Sequence, residues 1–434
     1  MSWDSTARLL RRTGFGTSGA AVDQASRIAP ADLVARMLAV APDDDPGARR
    51  TPVPQPAVIA PPGQQRSQDE RRQFRRQLQQ EFKSVVAWWI RRMAAVDEPF
   101  GEKLTFLWHD HFATAIKKVR QPALMVRQNI TLRTKGRGDF RDLALAMLVD
   151  PAMLRWLDGQ LNTAAAPNEN LAREFMELFA LGHGDGYTET DVREGARALT
   201  GWKIDRQTGT AQLRPRLHDN GKKTVLGVTG NLDYIGFCDA VLARPASAGF
   251  VTARLWSRLV SADPPSSEAL GALTDAYGPK RDLSALLQAM LTRPEMTTKA
   301  GTLVTMPVEW MVGLLRSLKV PLDDDKRMAL IQGALLRLGQ LPMLPPNVSG
   351  WPSGQAWLTT SAAELRMRIA TTLAAAGDLD AVSKGAALTR VEAVGHVIGL
   401  GTWSPRSAAV LKDAAAQPNR LVAFALNTPE YLTT

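Results

Sequence analysis

Cysteine is almost absent from this sequence of 434 residues, which contains only Cys238. A single thiol excludes an intramolecular disulfide and any metal site that needs several cysteines. Cys238 closes the apolar run Tyr234-Ile235-Gly236-Phe237-Cys238, a context typical of a small buried side chain rather than a nucleophile. The sequence also lacks an apolar run of about 18 residues, so we expect no transmembrane segment.

Several catalytic motifs are missing as well. The sequence has no G-x-S-x-G elbow, no H-E-x-x-H and no P-loop. It also has no dinucleotide-binding fingerprint, because the G-x-G-x-x-G spacing at Gly14–Gly19 lies in a turn between two predicted short helices and does not follow a strand. These absences weigh against a serine hydrolase of the common fold, a zincin, a nucleotide kinase and a Rossmann enzyme. What remains is acid–base or metal chemistry built from carboxylates, histidines and arginines.

The charge balance is basic, with 53 Lys and Arg against 43 Asp and Glu and a net charge of +10. Such a charge permits attraction to anionic polymers or membrane surfaces. Because the cations are spread along the chain without a known nucleic-acid-binding motif, we expect no specific nucleic-acid partner. The Arg11-Arg12 pair is not followed by a hydrophobic stretch, so it is not an export signal, and the chain as given is expected in the cytoplasm.

Helical periodicity dominates the sequence. Apolar residues make up 45% of the chain and recur at helical spacing in segments such as 66–93, 98–113 and 189–200. Only residues 203–232, with an Asp219-Asn220-Gly221 turn, have the pattern of a β-hairpin. We therefore predict a mainly α fold, a single large helical domain over residues 1–434 with a small β-hairpin insertion near 203–232.

Residues 41–68 differ from the rest of the chain in composition. They are rich in proline, aspartate and glutamine and include Pro52, Pro54 and Pro56. Prolines at this density prevent a long helix and cannot supply the hydrogen bonds of a central strand. We predict that 41–68 is a flexible linker or flap within the domain, outside the core.

The strongest candidate site lies in a predicted helix over residues 169–181. At about 100° per residue, one narrow stripe collects four polar side chains: Asn170, Arg173, Glu174 and Glu177. Apolar side chains fill the remaining arc of roughly 200°, which is wider than a surface helix needs. Such a helix is mostly buried, so its polar stripe should face a strip of solvent or a polar cavity that could be a site.

The same stripe also has a purely structural interpretation. Arg173 can pair with Glu169 or Glu177 four residues away, as on many solvated helix faces. Asn168 is a natural N-cap and Gly182 a natural helix stop. Capping explains both ends of the helix without chemistry, but it does not explain why two glutamates share the stripe.

Histidine is scarce, with five in the chain. On a strand, His109 and His111 would share a face and could hold one metal ion, whereas on a helix they lie about 200° apart and could not. The residues before His109 have a helical pattern, so a shared metal requires the helix to end near residue 109. In His218-Asp219 the carboxylate could hold the imidazole in one tautomer, although Asp219 also suits an ordinary turn.

The sequence resembles the bacterial family called domain of unknown function 1800. The segments that carry the resemblance are Leu9–Gly16, Trp108–Thr114, Leu157–Asn162, Asn168–Glu174, Tyr187–Val192, Ala198–Trp202, His218–Lys223 and Pro346–Pro352. They cover nearly the whole chain in order, which favours one domain. The family name implies no settled activity.

The family's gene neighbourhoods imply more than its name. Its genes often lie beside those of a second uncharacterised, exported family related to sulfatases and phosphatases. The resemblance therefore implies work in the cell envelope on complex carbohydrate, with an exported sulfatase-like protein as a candidate partner. Export with that partner, or after removal of a leader, stays open beside the cytoplasmic expectation.

Together these observations lead us to expect a hydrolase or lyase acting on a glycan or glycoconjugate. The candidate catalytic residues are Glu174, Glu177, His109, His218 and Asp219. The candidate substrate-binding residues are Asn168, Asn170, Arg173 and Asp158. We expect the stripe helix, the His109–His111 segment and the His218-Asp219 loop to converge on one pocket.

Two alternatives stay open. In the first, a divalent Zn, Mn or Fe ion serves a hydrolase or an oxidoreductase. Its candidate ligands are His109, His111, His218, Glu174 and Glu177. In the second, the protein is a binding or scaffold protein without enzymatic activity, and the stripe is an internal salt-bridge network.

Overall fold

Helices follow one another from residue 3 to residue 432 in the computed structural model, which describes residues 1–59, 67–184, 186–298 and 301–434. The predicted mainly α fold is confirmed. Within these ranges no helix has both the length and the apolar content needed to cross a membrane.

The first half of the chain contains twelve of the described α-helices and one π-helix. They are α1 (Trp3–Thr13), α2 (Gly19–Ala25), α3 (Pro30–Ala39), α4 (Pro46–Arg50), α5 (Gln68–Ala95), α6 (Phe100–His111), α7 (Ile116–Val119), α8 (Pro122–Lys135), α9 (Phe140–Leu148), α10 (Pro151–Trp156), α11 (Asn170–Glu174), the π-helix Phe175–Ala180, and α12 (Glu189–Ala198). Thr188 and Asp191 form a capping box at the start of α12.

The second half is helical to its end. Its helices are α13 (Tyr234–Leu242), α14 (Pro245–Leu259), α15 (Ser267–Tyr277), α16 (Leu283–Leu291), α17 (Glu295–Thr298), α18 (Pro307–Ser317), α19 (Asp325–Arg337), α20 (Thr360–Ala374), α21 (Asp380–Ser383), α22 (Arg390–Val397), α23 (Pro405–Ala414), α24 (Pro418–Ala425) and α25 (Pro429–Leu432). Five of these begin with a proline, which suits the first helical turn because an N–H at that position would have no partner within the helix.

The β insertion consists of two hairpins rather than the single one predicted. Strand β1 (Trp202–Ile204) pairs antiparallel with β2 (Ala211–Leu213), and β3 (Lys223–Val225) pairs antiparallel with β4 (Val228–Gly230). The second hairpin turns at Leu226 and Gly227, which both have positive φ as a type I′ turn requires. The predicted Asp219-Asn220-Gly221 turn is instead a loop before β3, where Gly221 N donates to Asp219 Oδ1 at 2.7 Å.

Part of the proline-rich segment belongs to the core, contrary to the prediction for residues 41–68. Asp45 is buried and its carboxylate accepts hydrogen bonds from four backbone N–H groups, two in α4 and two after α5. Further along, Ile59 is buried and exchanges two hydrogen bonds with the side chain of Gln121. Backbone pairing with these side chains replaces the secondary structure that the prolines prevent. Residues 60–66 of the predicted flap lie outside the described residues.

One hydrophobic cluster extends from Leu9 to Tyr431. Cys238 lies in it with no exposed surface, and burial raises the pKa of its thiol to about 12. The thiol therefore stays protonated at neutral pH, as expected of a small core side chain rather than a nucleophile.

A buried carboxylate joins three of the core helices. Glu102 on α6 is 3% exposed and lies between Arg92 of α5 and Arg133 of α8, at 2.6 and 2.7 Å. Trp89 Nε1 also donates to it at 3.0 Å. Burial alone would raise the pKa of Glu102, but the two guanidinium groups outweigh that effect and hold the pKa below its usual value. The carboxylate is therefore ionised inside the core.

We expect Glu102→Gln to lower the free energy of unfolding by about 3–5 kcal/mol at pH 7, because it leaves two buried arginines without their shared counter-ion. Urea unfolding measures this loss. The matched control is Asp97→Asn, since Asp97 lies 3.8 Å from Arg50 with both side chains 63% exposed, and it should cost less than about 1 kcal/mol. Because the folded pKa of Glu102 is lowered, its contribution is complete above about pH 4.3 and declines below it. Equal losses in the two variants would contradict a structural role for this triad.

Candidate functional site

The helix that carries the polar stripe changes its hydrogen-bonding pattern in the middle. The α-helical part, α11, ends at Glu174, and the π-helix begins at Phe175. Leu181 N, for example, donates to Met176 O five residues earlier, at 2.8 Å. π-helical turns are rare and are found frequently at functional sites. Glu174 and Glu177 lie on either side of the point where this turn begins.

The predicted faces of this helix are confirmed. All four stripe residues are partly exposed, namely Asn170, Arg173, Glu174 and Glu177. The apolar face is buried at Leu171, Ala172, Phe175, Met176 and Phe179. The stripe therefore meets solvent along a narrow strip, while the rest of the helix lies in the core.

Glu174 is the stripe residue whose protonation is most altered by its surroundings. Burial raises the pKa of its carboxyl group, and the neighbouring charge of Glu177 raises it further. Arg173 and His183 act in the opposite direction but do not cancel the rise. Among the described residues, no hydrogen bond or ion pair to this carboxyl group is found. A carboxyl group that is half-buried, unpaired and easier to protonate is suited to general acid catalysis.

Glu177 is held by two side chains from the loop before α12. Its Oε1 is in contact with Nδ1 of His183, and it shares a hydrogen bond with the phenol of Tyr187. Burial and the Glu177 charge together raise the pKa of Tyr187, so its hydroxyl stays a donor. This pair orients one carboxylate beside the more easily protonated one.

Arg173 joins two helices rather than facing an open site. Its guanidinium lies 2.9 Å from Glu169 and 2.7 Å from Glu189, the first residue of α12. The structural interpretation of the stripe predicted a pairing with Glu169 or Glu177, and the structure has the one with Glu169. Arg173 can reach a substrate only if one of these ion pairs opens.

The two asparagines near the start of α11 have different surroundings. Asn168 Oδ1 accepts from Asn170 N at 3.1 Å, and Asn168 N donates to Asn162 Oδ1 at 2.9 Å. The N-cap of α11 is Glu169, which makes no side-chain capping bond, so the predicted N-cap at Asn168 lies one residue too early. Asn168 instead accepts from the first helical N–H. The side chain of Asn170 remains partly exposed on the stripe.

The His218-Asp219 pair is built differently from the expectation. His218 Nδ1 lies 2.9 Å from Thr200 O, and since a carbonyl can only accept, Nδ1 carries a proton. Asp219 does not touch the imidazole but forms an ion pair with Arg197 at 2.7 Å. That pairing lowers the pKa of Asp219. A backbone carbonyl therefore selects the tautomer, and Asp219 is a poor proton donor.

Asp158 is engaged elsewhere as well. It has a positive φ of 60° and its carboxylate lies 2.7 Å from Lys118 Nζ. Both side chains are partly exposed. Its predicted role in substrate binding stays a prediction, since nothing among the described contacts connects it to the stripe.

His109 and His111 are enclosed in the core, which corrects their selection as catalytic residues or metal ligands. His109 is 2% exposed, and its Nε2 accepts from Met343 N at 3.1 Å. His111 is 3% exposed, and its Nε2 donates to Phe179 O at 3.0 Å. Burial lowers the pKa of each imidazole to about 3. Both rings are therefore neutral at physiological pH.

The helix places the His109 and His111 rings too far apart to bind the same metal ion. Helix α6 runs to His111, so the two side chains point about 200° apart, and the condition for a shared metal is not met. More widely, the described part of the chain contains no group of three His, Cys, Asp or Glu residues placed to hold a metal ion.

The stripe helix, the His109–His111 segment and the His218-Asp219 loop each have different neighbours in the structure. The His109–His111 segment touches the π-helix at Phe179 O, on its buried side, away from the glutamates. Arg173 contacts Glu189 at the start of α12, whereas Asp219 contacts Arg197 eight residues on, about 12 Å further along the helix axis. No described hydrogen bond or ion pair joins the glutamates to His218 or His109. Convergence on one pocket is thus unsupported by these contacts.

Sequence reasoning missed Tyr187 and Asp110. Tyrosine is rare here, with four in the chain, and that scarcity was a signal for Tyr187. Asp110 lies between the two histidines, and its Oδ2 forms an ion pair with Arg258 while its Oδ1 accepts from Trp351 N at 2.7 Å. Partners this distant in sequence cannot be read from local spacing.

Comparison with known proteins identifies one family. A family model described as "Protein of unknown function (DUF1800)" matches residues 8–433. No curated protein and no solved structure matches the chain.

We expect His109→Gln to weaken the acid sensitivity of the protein. The folded pKa of His109 lies far below its value of about 6.5 in an unfolded chain, so the protein loses stability as the pH falls from 6.5 towards 3. Each buried neutral histidine contributes up to about 1.4 kcal/mol per pH unit. A glutamine keeps an acceptor for Met343 N without titrating, so the slope of unfolding free energy against pH should fall by about that amount. His396→Gln, at a side chain 53% exposed, is the control. An unchanged slope in His109→Gln would mean that His109 is protonated in the folded protein.

Proposed function

We propose that this chain, which belongs to the DUF1800 family of proteins of unknown function, is a hydrolase or lyase that acts through Glu174 and Glu177. A glycan or glycoconjugate is the substrate class that we propose. The observation that carries the proposal is the pair of stripe glutamates in unlike surroundings, one unpaired with a raised pKa and one held by two hydrogen-bonding side chains.

Glu174 is the general acid in this proposal. Its raised pKa keeps part of the population protonated at a pH where an ordinary glutamate is ionised. Its partial exposure lets it reach a leaving-group oxygen at the surface strip. Loss of a proton to that oxygen, and its recovery from water, completes the acid–base cycle.

Glu177 is the base or nucleophile. His183 and Tyr187 fix its carboxylate, and the phenol of Tyr187 lies where it can donate a hydrogen bond. Pairs of carboxylates in two protonation states are the usual machinery for cleaving glycosidic bonds, which is why we propose a glycan substrate. Two carboxylates three residues apart are close, which suits a nucleophile better than a base that must leave room for water.

A scaffold role is the second candidate, and the Arg173 contacts favour it. Arg173 is engaged by Glu169 and Glu189, and Asp219 by Arg197. These ion pairs fix how α11, α12 and the loop before β3 lie against one another. In a scaffold, the partial burial of the Glu174 carboxyl group would only reduce stability, and the group would have no catalytic role.

The metal-dependent alternative has less support. Two of its five candidate ligands, His109 and His111, are buried in packed surroundings. Elemental analysis of protein purified without chelator, with one equivalent of Zn, Mn or Fe as the outcome in its favour, would revive it. The compartment and an exported sulfatase-like partner remain expectations from the resemblance.

We expect Glu174→Gln to lower kcat/KM by about 10²–10⁴-fold, the usual effect of losing a general acid. Activity is first sought with chromogenic glycosides, polysaccharides and glycoconjugates, and the variant is then compared on the responding substrate. Glu177→Gln should also be impaired. In the wild type, the limb of the pH profile that falls at high pH should lie above the usual range of a glutamate, and Glu174→Gln should abolish it.

The matched control is Glu189→Gln, which removes a carboxylate that pairs with Arg173 but lies outside the stripe. Under the enzymatic proposal it keeps its activity, and all variants keep their circular dichroism spectra. Full activity in a Glu174→Gln, Glu177→Gln double variant would refute the assignment. If the glutamate variants lose only stability, and Glu189→Gln loses as much, the scaffold role is the better explanation.

A further inference from the structure

A small cavity lies between the two ends of the chain and the middle of the core. It has a volume of about 130 Å³ and is lined by α1, α6, α14, the loops 302–306 and 353–354, and residues of the C-terminal segment. Its charged and phenolic lining residues are Arg11, Arg12, Lys103, Arg258, Glu309 and Tyr431. None of these residues belongs to the proposed acid–base site.

The cavity carries an excess of positive charge. Glu309 is the carboxylate side chain in its lining, and both of its oxygens are used, one by Lys103 and the other by Met306 N at 3.0 Å. Arg11 donates to the main-chain carbonyls of Glu430, Tyr431 and Thr433. Carbonyls carry no net charge, so these bonds orient the guanidinium of Arg11 without neutralising it.

The pKa values of the two α1 arginines show that burying this charge is unfavourable. Burial, with a contribution from Arg8, lowers the pKa of Arg11 to about 10. Burial, Arg8 and Arg11 together lower that of Arg12 to about 9. Arginine nevertheless stays protonated in proteins at neutral pH, so the shift measures how strongly the cavity disfavours its own charge. An anion placed there would relieve that cost.

Two hydrogen-bond donors of the lining lack a partner. Arg258 is 8% exposed, and its Nε is buried without a hydrogen bond to any described residue. Tyr431 is 2% exposed, and its hydroxyl is likewise buried without a partner in the described chain. Unsatisfied buried donors cost about 1–3 kcal/mol each, so their presence in the wall of a cavity points to a ligand or water that accepts from them.

We propose that this cavity binds a small oxyanion, a carboxylate or phosphate group. Its volume exceeds the roughly 30 Å³ that one water occupies in the liquid, and it suits one such group with a few waters. Arg258 Nε–H and the Tyr431 hydroxyl donate to the oxygens. Lys103 and the two arginines of α1 supply the positive potential, which acts strongly in a small, mostly buried space. The site does not depend on Glu174 or Glu177.

The position of the cavity also accounts for segments that the acid–base site leaves unused. Arg11 and Arg12 lie in the last turn of α1, and Gly16, in the loop after that helix, lines the cavity itself. Arg258 is held by Asp110 between the two core histidines. Ser353 and Gly354, beside the Gly350-Trp351 turn, form another part of the wall. Three separate segments of the chain therefore meet at this cavity.

The test is binding of sodium phosphate and sodium acetate to the full chain, by calorimetry and thermal unfolding, against sodium chloride at equal ionic strength. We expect at least one oxyanion to bind with saturation and to raise Tm. Tyr431→Phe removes an unpartnered hydroxyl, so it should fold normally and weaken binding about fivefold. Ala262→Asp places a carboxylate at the exposed edge of the lining and should weaken binding at least about tenfold.

The matched control is Ala262→Asn, which has the same size without the charge and should bind within about twofold of the wild type. Binding of phosphate alone would identify a tetrahedral group as the ligand, and binding of acetate alone a carboxylate. Since the chain has a net charge of +10, anions could also bind elsewhere. Equal affinity in the wild type, Tyr431→Phe and Ala262→Asp would show such unspecific binding and overturn the proposal, as would the absence of any effect beyond chloride.

Discussion

The carboxylate of Glu102 between Arg92 and Arg133 is the constraint on which the middle of the structure depends. It is buried and ionised, so the three helices that contribute to it can pack in only one arrangement without leaving a bare charge in the core. Arg92 also holds the segment before α4 through Pro42 O and Asp43. This is why a proline-rich stretch without long helices is tied to the core.

Helix α6 extends the same principle along its length. Besides Glu102, it carries a lysine, an aspartate and two histidines that are all buried, and each reaches a different part of the chain. Lys103 pairs with Glu309, His109 accepts from Met343 N, and Asp110 pairs with Arg258. Burying this many polar groups is affordable only because nearly all of them find partners. The Trp108–His111 stretch is thus a structural junction between distant parts of the chain.

Most of the fold was predictable from sequence because helices depend on near neighbours. The predicted helix 66–93, for example, is Gln68–Ala95 in the structure. The site was predictable only as far as one helix face. His109 and its partner Met343 are 234 residues apart, and no periodicity reports such a contact. The π-helical turn was also hidden, because its residues have the same apolar pattern as an α-helix.

The contrast between Glu102 and Glu174 separates structure from chemistry in this protein. Both are glutamates in helices with arginines nearby. At Glu102 two guanidinium groups outweigh burial and the pKa falls, whereas at Glu174 burial and a second carboxylate prevail and the pKa rises. A fully paired buried carboxylate is unsuited to proton transfer, because protonating it would leave the buried arginines without a counter-ion. An unpaired carboxyl group at the surface strip can exchange its proton at little structural cost, and this difference, more than the presence of any motif, makes the junction between α11 and the π-helix the place to look for activity.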